Sequence, residues 1–292
     1  MNTYTSLKRF GITSLFAAVL FAAFNSPLHA QGTPTVNCNA QGGSNLQTKI
    51  DAGGDGDRIF LTGVCDDGPY VIFGKHIELI GFASTGATLS SLGSGDVLIL
   101  RGATVVLRNL FIDADGSGSG ISTEGSSIDV GEVVVRGASG AGIRLDGSSF
   151  AIVTNSGFNN NGIGIVITGS SNAFLHQSTV QDNLISGVVV ILNSSATVSF
   201  NTIINNNVGV VVTKMSSLAL NNNLIENNVD KGVLIADQYG YLTTDGFVNT
   251  IQGNGTDVVC QARGIFESPV AQSSTTSTTL LSPDCTVFGT IF

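Results

Sequence analysis

Gly164-Ile165-Val166-Ile167, Gly187-Val188-Val189-Val190, Gly209-Val210-Val211-Val212 and Gly232-Val233-Leu234-Ile235 are four copies of one phrase, a glycine opening an aliphatic run. Gly120, Gly142, Gly164, Gly187, Gly209 and Gly232 step along the chain by 22, 22, 23, 22 and 23 residues. Other marks keep the same phase. Ser pairs stand at Ser126-Ser127, Ser148-Ser149, Ser170-Ser171, Ser194-Ser195 and Ser216-Ser217. A lone apolar residue recurs at Phe158, Val180, Ile203, Ile225 and Val248, followed by Asn-rich corners such as Asn159-Asn160-Asn161, Asp182-Asn183, Asn205-Asn206-Asn207 and Asn227-Asn228.

A unit this short, built of three brief strands, has too little chain to bury its own apolar face and has to stack on its neighbours. Stacking puts parallel strands about 4.8 Å apart. Asn and Ser tolerate tight corner dihedrals and form ladders when they repeat coil upon coil, while Gly serves a corner where a Cβ would clash. Leucine-rich repeats would need their Leu spacing and a helical half, and propeller blades about forty residues each. The pattern therefore predicts an all-β fold, a single-chain right-handed parallel β-helix of about nine coils of 22 to 24 residues.

Upstream, Asp96 to Leu100 starts another coil, which runs through Val105, Leu107, Asn109 and Ile112 to an enlarged corner, Asp113-Ala-Asp115-Gly-Ser-Gly-Ser. Ile59-Phe-Leu, Val71-Ile-Phe and Ile77-Glu-Leu-Ile read as the first coils. Ser44 to Ala52 reads as a short amphipathic helix, Leu46 and Ile50 on one face, suited to cap the open N-terminal end. The expected division is a signal peptide over 1–30, a cap over 31–57, the β-helix over 58–257 and a disulfide-closed tail over 258–292.

The 292 residues include 12 Lys+Arg and 21 Asp+Glu, a net charge of −9, with 42% hydrophobic and 11% charged residues. So acidic a chain cannot neutralise a run of phosphates, which excludes nucleic acid as partner; its apolar content excludes a disordered chain. Lys8-Arg9, the apolar run Phe10 to Phe24, the break at Ser26-Pro27 and then Leu28-His29-Ala30 have the layout of a secretory signal cleaved near Ala30. That leaves no membrane span and implies a secreted or periplasmic protein. Of the three pairings open to four cysteines, Cys38 with Cys65 and Cys260 with Cys285 each join sequence neighbours and staple one end. A zinc site fits less well: no CxxC occurs, and His76 and His176 are the only histidines beyond the leader.

The chain resembles the pectin-lyase-like superfamily of right-handed β-helix proteins. The opening carries the likeness to exported bacterial members: Val36-Asn-Cys38, Leu46-Gln-Thr-Lys-Ile50-Asp and Gly56-Asp-Arg-Ile59-Phe-Leu-Thr-Gly-Val-Cys65. The resemblance implies a Cys-flanked helical cap and the fold; it fixes no activity, because the superfamily includes polysaccharide lyases, glycoside hydrolases, epimerases and adhesins. The Asn-Thr-Asp, Asp-Asp, Gly-His-Gly and Arg-Ile-Lys set of its pectin hydrolases is missing, as is the Asp-Pro-His of its epimerases. Asp66-Asp67 is the only Asp pair and lies in the first coil.

Lyases of this fold use clustered carboxylates, Ca²⁺ to acidify the C5 proton of a uronate and an Arg base. Asp113, Asp115 and Arg136 are the nearest candidates, with Asp113 and Asp115 as candidate Ca²⁺ ligands and Asp182 at a similar phase. Glu124, Arg144 and Asp146 lie on the outward side of the first strand of their coils, as ion pairs or as sugar ligands. The Ser pairs lack His and Asp partners and read as a structural ladder. Absent Trp and only four Tyr, with Tyr239 and Tyr241 the sole close pair, weaken a stacking platform for sugars.

Val166, Val189, Val211 and Leu234, with Ile191 beside them, fall outward on strands whose inward positions are also aliphatic. Strands apolar on both sides are normally covered on both, so this strip is expected to lie under the tail, Val258 to Phe292, or against a second chain. The expected function is a non-catalytic exported β-helix binding a polysaccharide or a surface or matrix partner, without a cofactor. The alternative is a Ca²⁺-dependent lyase or related carbohydrate-active enzyme acting on acidic glycans. Metal delivery would need more than two histidines.

Overall fold

The computed structural model describes residues 35–41, 44–82, 86–91, 93, 95–116, 118–236, 241–243, 249–261, 265–267 and 286–288. The signal-peptide reading of 1–30 lies outside them. The unit spanning Gly32 to Phe292 is a parallel β-solenoid. Its first sheet has nine parallel strands, from Tyr70–Phe73 to Thr256–Cys260. A second sheet runs from Thr35–Asn37 to Thr286–Phe288, and a third from the later part of Asp57–Gly68 to Thr250–Gln252. Asp57–Gly68, 12 residues long, takes part in both of these. Each coil visits the first, second and third sheets in turn.

The expected register holds. Ile143, Ile165, Val188, Val210, Val233 and Val258 stack in one ladder inside the first sheet, all fully buried. The apolar position of the third sheet stacks Phe158, Val180, Ile203 and Ile225, but the next member is Ile251, not Val248. Val248 lies outside the described residues. The displacement has a length origin: the step from Asn228 to its stacked successor Asn254 is 26 residues, so this coil is longer than its predecessors.

The glycines mark a close approach of backbones. At Gly142, Gly164, Gly187 and Gly209 an added Cβ would fall 2.5–2.6 Å from the carbonyl oxygen of the glycine one coil on. Their φ angles are ordinary, so the demand is for space.

Three polar ladders close the corners. Entering the second sheet, the hydroxyls of Ser149, Ser171, Ser194 and Ser216 accept the N–H of the Ser one coil earlier at 3.0–3.2 Å. Entering the first sheet, Asn161, Asn183, Asn206, Asn228 and Asn254 are linked Nδ2 to Oδ1 at 2.8–3.2 Å, and Asn254 donates onward to the buried Asp257 carboxylate at 2.9 Å. A third ladder, Ser156, Ser178, Asn201, Asn223 and Asn249, closes the corner between the second and third sheets. The residue before each Asn of the second ladder is left-handed: Asn160, Asp182, Asn205 and Asn227 have φ of 54° to 57°. Asx side chains suit such corners.

At the N-terminal end the Ser44–Ala52 helix forms as expected, with Leu46 and Ile50 at 0% and 1% exposure against the first coils. A one-turn helix, Cys38–Gln41, precedes it, and Cys38 is bonded to Cys65. Cys260 is also disulfide-bonded, while Cys285 lies outside the described residues. Of the tail, residues 258–261, 265–267 and 286–288 are described. Val258 belongs to the last strand of the first sheet, and Ile265–Glu267 and Thr286–Phe288 pair in the second sheet. These pieces continue the stack at its end instead of lying over the aliphatic strip, because open strand edges offer backbone partners that the strip lacks.

Replacing Asn206 by Ala removes the acceptor for Asn183 and strips donors from the Val180 and Ile204 carbonyls. With those groups buried, the variant is expected to lose about 3 kcal/mol of unfolding free energy in urea. Gly187→Ala drives a methyl to within 2.6 Å of the Gly209 oxygen; a loss of roughly 2 kcal/mol is expected by the same measurement, and an unchanged midpoint would contradict the close-approach account.

Candidate functional site

Alternation along the second sheet decides what faces water. Ala151 and Val153, Ala173 and Leu175, Ala196 and Val198, Leu218 and Leu220 are buried, so their neighbours point outward. Two outward ladders run side by side. One stacks Ile152, Phe174, Thr197 and Ala219; the other stacks Phe150, Asn172, Ser195 and Ser217. From Phe174 in one and Phe150 in the other, side chains shrink along the stack, and the shrinkage leaves a shallow hollow of about 190 Å³. Phe174, 45% exposed, forms its wall and packs edge-on to Phe150 at 5.8 Å. Thr197 and Ala219 lie on its floor, with Asn172, Ser195 and Ser217 beside them. The Ser195 hydroxyl donates to the Asn172 side-chain oxygen Oδ1. Beyond it, His176 packs edge-on to Phe200 at 5.3 Å.

Such a hollow joins an apolar ring face to a row of hydroxyl and amide groups, the combination that a sugar ring presents in complement. The search for stacking aromatics by Trp and Tyr missed it, although the chain has 16 Phe. The signal was available: Phe150 and Phe174 are one coil and two residues apart, which puts them on the same outward face.

The other sequence candidates divide into three places. In the enlarged corner, Asp113 Oδ2 accepts from Arg136 Nε at 3.0 Å and Nη2 at 2.8 Å, and Asp113 Oδ1 accepts the Asp115 N–H at 3.3 Å. Arg136 is therefore a guanidinium already paired with the carboxylate it was expected to work beside. Asp115, at φ 46°, is exposed. Asp182 is two coils from Arg136 and occupies a left-handed corner position.

On the outer face of the first sheet, Arg144 pairs with Asp146 at 3.1 Å, and Glu124 faces Arg101 at 3.7 Å instead of Arg144. These are exposed pairs of small energy. In the first coil the Asp67 carboxylate accepts the hydroxyl of buried Tyr70 at 2.8 Å, while Asp66 is exposed. Burial, helped by that carboxylate, raises the Tyr70 hydroxyl well above the ordinary phenol range. His76 and His176 occupy strands four coils apart, roughly 19 Å by strand spacing, so they do not form one site. Among the described residues no three His, Cys, Asp or Glu side chains gather as a metal site.

Residues 95–264 match the family model described as a right handed beta helix region. No curated protein matches the chain in sequence. Among solved structures, the pectate lyase Pel9A is similar with a TM-score of 0.59 and 12% identity, over 82% of this chain and 71% of its own. The enzymatically active domain of tailspike protein 2 from bacteriophage CBA120 gives 0.57 and 13%, over 83% of this chain and 44% of its own. At such identities the likeness is one of fold.

Proposed function

The chain belongs to the right-handed β-helix family, and from that premise we propose that it is an exported, non-catalytic polysaccharide-binding protein whose site is the hollow on the second sheet. The observation that carries this reading is the exposed Phe174 ring standing over Thr197 and Ala219 beside Asn172, Ser195 and Ser217. A pyranose packs its C–H face on the ring and exchanges hydrogen bonds with the Asn and Ser row. The net charge of −9 favours an uncharged glycan, since a polyuronate would be repelled. Export is supported by the leader-like sequence of residues 1–30 and by the Cys38–Cys65 bond, which persists in an oxidising compartment.

The lyase alternative would require Ca²⁺ at Asp113 and Asp115 and a base at Arg136. That use competes with the Arg136–Asp113 pair, in which two guanidinium N–H groups donate to the one oxygen Oδ2, which is why the binder is preferred here.

The test is a glycan panel, neutral and acidic, read by calorimetry and by ultraviolet absorbance with and without Ca²⁺. A neutral polysaccharide is expected to bind, Phe174→Ala to weaken it at least tenfold (about 1.4 kcal/mol), and no unsaturated product to appear. Product formation that disappears in Asp115→Ala would replace the binder with the lyase.

A further inference from the structure

The outer side of the first sheet changes character partway along the stack. One outward ladder reads Ser122, Arg144, Val166, Val189, Val211, Leu234. Preceded in the same register by Val71 and Ile99, it is polar only at Ser122 and Arg144 and is aliphatic from Val166 on. The corner leaving this sheet changes one coil later. Earlier coils turn on Gly147-Ser148 and Gly169-Ser170; the following ones turn on Leu192-Asn193 and Lys214-Met215, all at positive φ. Bulky side chains are disfavoured in left-handed backbone, yet Leu192 and Met215 are held there with 47% and 61% of their surface in water. At the corner entering the sheet, Leu184, Ile185 and Val229 are 79%, 52% and 74% exposed. Strip and margins form a mainly apolar patch over these coils, with Lys214 exposed at one margin and the Lys231–Asp230 pair at the other.

We propose that this patch is the interface of a homodimer, in which a second copy applies the same surface about a two-fold axis passing between Val189 and Val211, with the two stacks antiparallel. A two-fold contact needs a self-complementary surface. The antiparallel arrangement lays the aliphatic ladder on its own image and leaves the internally neutralised pairs Arg144–Asp146 and Arg101–Glu124 at the rim, where they add no repulsion. Four coils at about 4.8 Å, spanned by a strand with its flanking corners of about 25 Å, offer roughly 500 Å² per copy, near the lower bound for a specific interface.

Other occupants fit less well. The described tail segments pair in the second sheet, at the end of the stack. A sugar chain would find few hydroxyl or amide partners on this face, and an anionic bilayer would be repelled by the chain's charge. The hollow on the second sheet lies on a different face, so the dimer stands independently of the glycan reading.

Sedimentation velocity of the purified protein between about 1 and 200 µM tests the proposal, since an interface of this size is expected to dissociate in the micromolar range. A concentration-dependent dimer is expected. Val189→Lys and Met215→Lys should each weaken it at least tenfold with unchanged circular dichroism and melting temperature. Should Val189→Lys fail to fold, Met215→Lys, at an already exposed position, decides alone. A monomer throughout the range overturns the proposal, as does a dimer equally tight in Met215→Lys. Binding of the monomer to phosphatidylglycerol vesicles through the patch overturns it in favour of a membrane surface.

Discussion

A stack of short parallel coils can stand only if the backbone groups at its corners, turned away from water, find partners in the next coil. Strand pairing satisfies the sheets, but at each corner the chain changes direction and its N–H groups fall out of the ladder. The Ser and Asn side chains supply the missing acceptor one coil along, and Asn also donates back to a carbonyl. This single requirement fixes where the corners fall, because a residue added or lost at a corner itself would move that acceptor away from its donor. The longer coil before Asn249 and Asn254 obeys it too: both ladders still connect across 26 residues, so the extra chain is accommodated between the corners.

The glycines answer the same constraint from the steric side. Drawing the corners close enough for Asn Nδ2 to reach the next Asn Oδ1 also brings each Gly against the next Gly carbonyl. Hydrogen bonding and close approach are two consequences of one pitch. With the interior occupied in this way, chemistry is left to the outward positions, where neither the ladders nor the core dictate residue type. There the charges pair with each other, while the second sheet acquires its hollow from a decrease in side-chain size from Phe174 to Ala219. The aliphatic face of the first sheet is the counterpart, a strip of Val and Leu whose charges, Lys214 and the Lys231–Asp230 pair, stand only at its margins.

Much of this was legible from residue order alone. The glycine spacing, the Ser pairs and the Asn corners each report a requirement that recurs in every coil, and a recurring requirement leaves a period in the sequence. The second-sheet-to-third-sheet ladder was overlooked because its members change from Ser156 and Ser178 to Asn201 and Asn223, two residue types serving one role. The helix at Ser44–Ala52 was readable from the spacing of Leu46 and Ile50. Val248 was taken for Ile251 because counting by period fails once a coil lengthens.

The sequence by itself determined the interior: coil period, parallel stacking, corner chemistry and the N-terminal cap, all of which repeat or follow from local pattern. Only the tertiary structure decided the exterior. Whether Arg136 meets Asp113, whether Glu124 faces Arg101 or Arg144, and whether Phe174 walls a hollow depend on which outward side chains become neighbours across coils. That in turn depends on registers set by the buried ladders; apart from the aliphatic strip, outward positions change residue type from coil to coil, so their neighbours leave no recurring mark in the sequence.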